Sequence, residues 1–183
     1  PAPDLAKLFK PKSVAVIGAS TRETAAGWRV TRNLKNGGFK GGIYPINPRY
    51  EEVLGLRCYP DLKSLPETPD AVFIGIPAEQ VAPVLEEAGK AGIKAAVMNA
   101  SGFADGGPEG IARQKVIEKI AADYGIAVCG PNNTGFINLV DETQIATWPR
   151  MPNLKRGSVA AVTQSGSVAI ALGQEEFDLG LAY

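Results

Sequence analysis

No histidine occurs among the 183 residues. That absence removes the commonest general base at neutral pH, any Ser-His-Asp triad and any phosphohistidine from this chain. Cysteine is nearly as scarce. Cys58 and Cys129 are the only two; they lack metal-ligand spacing, and two thiols do not make a disulfide framework in a chain of this size. A reducing cytoplasm is the expected compartment. Excess charge of either sign is missing too: lysine plus arginine and aspartate plus glutamate stand at 19 each. No global basic field therefore draws in nucleic acid or an anionic membrane, and any anion site must be local. The longest apolar runs reach only about eight residues, against the roughly 20 needed to span a bilayer, and no basic-then-apolar leader precedes them. The expectation is a soluble protein without signal peptide, membrane or nucleic-acid partner.

What is present is an alternation of two periods. Ser13–Ile17, Gly42–Ile46, Ala71–Ile76, Ala95–Met98 and Ala127–Cys129 are short apolar runs closed by Gly, Pro, Asn or Ser, and read as buried strands. Between them, Val81, Val84, Leu85 and Ala88 fall at i, i+3, i+4 and i+7, as do Ile117, Ile120, Ala121 and Tyr124. Each set forms one buried helix stripe. Gly92 and Gly125 stand where left-handed C-caps would end those helices, and Trp28 to Asn36 reads as a shorter helix stopped by Gly37 and Gly38. Leu54 to Leu65 is too rich in turn residues for more than a helical turn or two. The pattern predicts an α/β fold, a Rossmann-like doubly wound parallel sheet.

After Asn138 the composition shifts. "TWPRMPNLKRG", Thr147 to Gly157, carries two prolines, three basic residues and no period, the features of a linker. The pattern then restarts, with Ser158 to Val162 as a strand, "TQSGS" as a turn and Val168 to Leu179 as a helix. One strand and one helix cannot bury a core, so this reads as the first βα unit of a truncated second domain. The expected organisation is a first domain over 1–150, a linker over 151–157 and the second unit over 158–183. Neither a convincing internal repeat nor a low-complexity tract interrupts it.

Three sets of residues at the carboxyl edge of the predicted sheet carry chemistry. "VIGAS", Val16 to Ser20, turns from strand to helix. Gly18 permits close backbone approach, Ala19 follows, and Ser20 or Thr21 can add a hydroxyl beside a phosphate held at the helix N-terminus. The next glycine after Gly18 is Gly27, so G-x-G-x-x-G spacing fails, and the stretch also reads as a ligand-free connection. "YPINPRY", Tyr44 to Tyr50, ends the second strand with Asn47, Pro48 and Arg49, where an NAD site usually has Asp or Glu. An amide tolerates a phosphate that a carboxylate would repel, and Arg49 can pair with it. That favours a phosphorylated ribose, as in NADP or coenzyme A; Arg49 reads equally as a solvated loop cation. "GIPAEQV", "NASGFADGG" and "CGPNNTGFIN" put small and amide residues at the later strand ends. Pro77, Ser101, Gly102, Asn132 and Asn133 would line a slot for a thin, amide-bearing chain such as pantetheine, although the same residue types dominate turns generally.

"LFKPKSVAVIGAS", "RVTRNLKNGGFKGGIYPINPRYEEVLGLRCYPDLKSLP", "GIPAEQV", "SGFADGG", "GPNNTGFIN" and "GSVAAVTQSGSVAIAL" occur here in the order seen in nucleoside-diphosphate-forming acyl-CoA synthetases. The chain resembles that family, related to the α part of succinyl-CoA synthetase and to ADP-forming acetate-CoA ligase, over essentially its whole length. The resemblance implies a CoA-binding Rossmann-like domain followed by the start of a flavodoxin-like one. It implies that the Gly18–Ala19–Ser20 turn and "INPR" receive the nucleotide end of CoA, and that Pro77, Ser101, Gly102 and Asn132 follow the pantetheine. It further implies that backbone donors around Ser165, Gly166 and Ser167 face the phosphate carried by a catalytic histidine. In the full enzyme, ATP or GTP with Mg would act through an ATP-grasp module or subunit and the remaining ligase domains. Two departures stand out. The family often has Cys after "GPN", where this chain has Asn133, which excludes thiol chemistry there. The histidine and the ATP-grasp module belong to later sequence, so the chain alone would bind and position CoA without turnover. An NADP-dependent oxidoreductase domain and a free-standing CoA-binding regulatory module are the alternatives.

Overall fold

The computed structural model describes residues 3–148, 157–169 and 171–172. The elements run α1 (Leu5–Phe9), β1 (Ser13–Ile17), α2 (Ala26–Asn36), β2 (Gly42–Ile46), β3 (Glu52–Val53), β4 (Leu56–Arg57), β5 (Ala71–Ile74), α3 (Ala78–Lys90), β6 (Ala95–Met98), α4 (Pro108–Tyr124), β7 (Ala127–Cys129), β8 (Gly135–Asn138) and β9 (Thr143–Ala146). Five strands form one parallel sheet in the order β2-β1-β5-β6-β7. The chain leaves β1 first toward β2 and then crosses to β5 on the other side. The β1/β5 boundary is therefore the topological switch point, where a crevice opens at the carboxyl ends of the strands.

Both faces of the sheet are filled, which is why its strands read as continuous apolar runs. Ala15, Ile17, Val72, Ile74, Ala96 and Met98 point to one side, into a core closed by Val81, Leu85 and Ala88 of α3 and Ile117 of α4. Val14, Val16, Phe73 and Val97 point to the other, against Leu8, Val30, Leu34 and Ile145. Each fully buried side chain of this size contributes about 1.5–3 kcal/mol, so the two-sided sheet dominates stability.

The helix stripes expected at Val81–Ala88 and Ile117–Tyr124 do face the core, with Val84, Ile120, Ala121 and Tyr124 half-buried at its margin. Gly125 ends α4 in the left-handed region. The crossover over 54–65 holds one 3-10 turn at Leu62–Ser64, capped by the Asp61 carboxylate accepting from the Ser64 N–H at 2.9 Å. Three differences from expectation have physical causes. β5 stops at Ile74, two residues early, because Gly75 and Ile76 turn out to line the crevice. An antiparallel hairpin, β8 with β9, occupies the stretch where only a composition shift was legible. It latches onto α2 through buried Asn33, whose amide donates to Ala146 O at 2.8 Å and Trp148 O at 2.7 Å. The strand expected over Ser158–Val162 does not form: no described strand pairs with these residues, and Val159 and Val162 are exposed. A single strand leaves its backbone groups without a ladder. The helix expected over Val168–Leu179 begins earlier, at 166, and its course after 172 lies outside the described residues, as does most of the expected linker. Among the described residues no helix is long and apolar enough to cross a membrane.

Asp70 ties α1 to the sheet. Its carboxylate accepts from Lys7 Nζ at 2.6 Å and from the Lys12 N–H at 2.8 Å. Burial alone would push this carboxyl up, but the Lys7 and Lys12 bonds and charges outweigh it and hold it below the usual carboxylate range. A depressed carboxyl contributes stability that is complete above the unfolded value near 4 and is lost as pH falls through the folded one. Asp70→Asn should cost about 1 kcal/mol in urea unfolding at pH 7, and the difference should narrow as pH falls from 7 to 3. A gap of equal size at both pH values would trace the loss to something other than the ionised pair.

Candidate functional site

The crevice begins where three backbones meet. Gly18 leaves β1 with φ +87°, and a Cβ there would lie 2.3 Å from the Gly75 oxygen at the end of β5. On its other side, a Cβ on Gly27 in α2 would lie 2.2 Å from the Gly18 oxygen. Only glycine fits both places. Gly27 thus packs the helix against the strand turn, the role of the last glycine in a dinucleotide fingerprint, from a later position than that spacing allows.

This contact places the first turn of α2 at the crevice. Its N-cap, Ala25, offers no side-chain acceptor, and the first turn holds no acidic residue. The N–H groups of Ala26, Gly27 and Trp28 find no acceptor among the described residues, leaving the positive end of the helix open to an anion. The preceding N–H groups are used: Gly18 and Ala19 both donate to Ile46 O, at 3.2 Å each. Ser20 is buried, and its hydroxyl accepts from the Arg22 N–H at 3.1 Å. Of the two hydroxyls expected here, the exposed Thr21 has the freer approach.

Asn47 joins the neighbouring turn to this one. Its amide donates to Ala19 O at 2.7 Å, and its side-chain oxygen accepts from the Arg49 N–H at 3.0 Å. The side chain is a clamp between the β1 and β2 turns, and it leaves Pro48 and Arg49 exposed on the clamped loop. Tyr50 follows. The Thr21 and Ser20 hydroxyls, with the Arg22 and Arg49 charges, hold its phenol below the usual tyrosine pKa against the opposing effect of burial.

Beyond Gly75 the crevice widens into an open cleft of about 360 Å³, lined by Ile76, Pro77, Ala78, Asn99, Ala100, Ser101 and Asn132. Pro77, Ser101 and Asn132 therefore stand together as expected. Gly102 lies just past the lining, its carbonyl accepting from the Arg113 guanidinium. Asn133 turns away: its side-chain oxygen accepts from the Gly135 N–H at 2.6 Å, closing its own loop. Asn99 and Asp105 were not legible beforehand. Asn99 donates to Asn133 O at 2.9 Å, and Asp105 accepts from Asn132 at 3.0 Å and from the Phe103 N–H at 2.8 Å. A turn residue in sequence gives no hint that its partner is roughly 30 positions away.

The "TQSGS" turn lies at the far end. A Cβ on Gly166 would stand 3.7 Å from Thr134 Cγ2, in the loop that carries Asn132. Ser165 caps the helix that follows, its hydroxyl accepting from the Val168 N–H at 3.4 Å, and Ser167 is exposed in its first turn.

A parallel sheet with a glycine-lined switch point, an uncapped helix N-terminus and unpaired cations defines a Rossmann-like nucleotide-binding domain. Residues 12–138 match the profile of the CoA binding domain, and the chain belongs to that family. It is 40% identical over 164 residues to an ADP-forming acetate–CoA ligase II of Archaeoglobus fulgidus, covering 90% of this chain and 24% of the relative. It is 36% identical over 176 residues to an ADP-forming 4-hydroxybutyrate–CoA ligase of Nitrosopumilus maritimus, covering 96% and 25%. Among solved structures, a dinucleotide-forming acetyl-coenzyme A synthetase 1 of Ca. Korarchaeum cryptofilum with phosphate and ADP superimposes with a TM-score of 0.90 at 36% identity, covering 98% of this chain and 38% of that one. The chain is homologous to the N-terminal part of ADP-forming acyl-CoA synthetases and spans about a quarter of the length of these curated relatives.

The glycine contact has a signed consequence. Alanine in place of glycine ordinarily favours a helix by up to about 1 kcal/mol. Because the Gly27 Cβ position meets backbone, Gly27→Ala should instead lower unfolding stability by about 1–3 kcal/mol. A gain in urea midpoint would show that the Gly18 turn yields at no cost.

Proposed function

We propose that this chain is the CoA-holding part of a nucleoside-diphosphate-forming acyl-CoA synthetase working in the cytoplasm. The observation that supports the reading is the cleft lined by Gly75, Pro77, Ser101 and Asn132 at the carboxyl edge of the sheet, beside the Gly18 turn and the open α2 N-terminus. The diphosphate of CoA meets the Ala26–Trp28 N–H groups. Arg49 takes the 3'-phosphate, a position where a carboxylate would repel it. The pantetheine follows the cleft beyond Gly75, its methylenes on Ile76, Pro77 and Ala78 and its amides beside Asn99, Ser101 and Asn132.

Bound there, CoA supplies the thiol that receives the acyl group. The chain's own residues orient it. Asp105 and Asn99 hold the loops that carry Asn132 and Asn133, so the site is set before the ligand arrives, the entropic share of catalysis. Ser165, Gly166 and Ser167 present backbone donors where a phosphate would approach the acyl-transfer end. A phosphohistidine step, an ATP-grasp partner using ATP or GTP with Mg, and the acyl site belong to the other ligase domains in this scheme, since the chain has no histidine of its own.

Calorimetric titration with CoA, dephospho-CoA and NADPH at one salt concentration tests the reading. CoA should bind in preference to both others. Arg49→Ala should weaken CoA by about 1.5–3 kcal/mol and leave dephospho-CoA nearly unchanged. Equal losses for both ligands would reject the 3'-phosphate assignment, and preference for NADPH would reject CoA as the ligand.

A further inference from the structure

Two side-chain amides, Asn99 and Asn132, line the cleft beyond Gly75. An antiparallel bridge pairs these residues directly, which sets their side chains on the same side of the backbone. Which end of each amide is left for the cleft is decided by what the other end touches. Asn99 Nδ2 donates to the Asn133 carbonyl at 2.9 Å, and Asn132 Nδ2 donates to Asp105 Oδ2 at 3.0 Å. A carbonyl and an ionised carboxylate only accept, so each must meet the nitrogen end. Asp105 is itself fixed. Its other oxygen, Oδ1, accepts from the N–H of buried Phe103 at 2.8 Å. Neither Asn99 Oδ1 nor Asn132 Oδ1 accepts from a described residue.

Two neighbouring amide oxygens without donors of their own call for hydrogen-bond donors on whatever fills the cleft. Resting on the CoA reading above, we propose that Asn99 and Asn132 accept from the N–H groups of the ligand's amides, and that Asp105 is the positioning residue that holds Asn132 in the accepting orientation. The chemical class this selects is a neutral chain carrying secondary amides. A chain with esters in their place keeps the carbonyls and the shape but has no N–H, so its ester oxygen meets an asparagine oxygen and neither donates. A site built around a donor rejects the analogue that lacks it.

The test is calorimetry of the chain with CoA and with two analogues, each having one pantetheine amide N–H replaced by an ester oxygen. At least one analogue should bind about tenfold more weakly than CoA, the size expected for an acceptor left without its donor. Asp105→Asn should shrink that ratio toward one. Its side-chain oxygen keeps the Phe103 N–H, while its new N–H draws the Asn132 oxygen round and turns the Asn132 nitrogen to the cleft. A merely structural role for Asp105 would weaken CoA and the analogues by one common factor. A ratio unchanged in Asp105→Asn, whether or not the affinities fall, therefore overturns the positioning role. If both analogues bind the unaltered chain as tightly as CoA does, the accepting orientation is overturned and the CoA reading stands. If CoA itself does not bind, the CoA reading falls and this proposal falls with it.

Discussion

At the carboxyl edge of the sheet, α2, β1 and β5 meet backbone to backbone, through Gly27 on Gly18 and Gly18 on Gly75. No side chain separates them, since a Cβ at Gly18 or Gly27 would lie well inside van der Waals contact with a neighbouring carbonyl. The rest of the ligand edge depends on that approach. It brings the open N-terminus of α2 to the switch point, and it lets the crevice run past Gly75 into the cleft beside Ile76 and Pro77. Interiors pack densely enough that one added methyl would be felt across all three elements.

The second constraint is electrostatic. With equal numbers of acidic and basic residues, anion recognition must be built locally, and this surface builds it by leaving cations unpaired. Lys7, Lys90 and Lys119 each sit against a carboxylate; Arg22 and Arg49 do not. Asn47 holds the turn in place of the acidic residue usual at the end of a second strand, and it does so as a neutral clamp that leaves the field positive.

The architecture was legible because its determinants are local. Five apolar runs and two helix stripes announce a sheet buried on both faces, and all seven appear, with β5 ending two residues short of its run. The β8–β9 hairpin was not legible. Its hold on α2 runs through Asn33, which bonds carbonyls more than a hundred positions later. The strand expected at Ser158–Val162 failed for the converse reason: its pattern is strand-like, but a strand needs a partner to satisfy its backbone. In the site, Pro77, Ser101 and Asn132 could be named from turn chemistry at strand ends. Asn99 and Asp105 could not, because their work is to hold other loops.

By itself, then, the sequence determined the alternation of elements, the buried faces and the edge on which the ligand-bearing turns fall, since periodicity and turn chemistry act within a few residues. The tertiary structure alone decided that Gly27 substitutes for a misplaced fingerprint glycine, that Ser20 and Asn47 spend their polar groups on the protein, and that Asn47 ties the β2 turn to the β1 turn. Each of these is a contact between residues distant in the chain, and which polar groups remain free for a ligand is known only after all such partners have been taken.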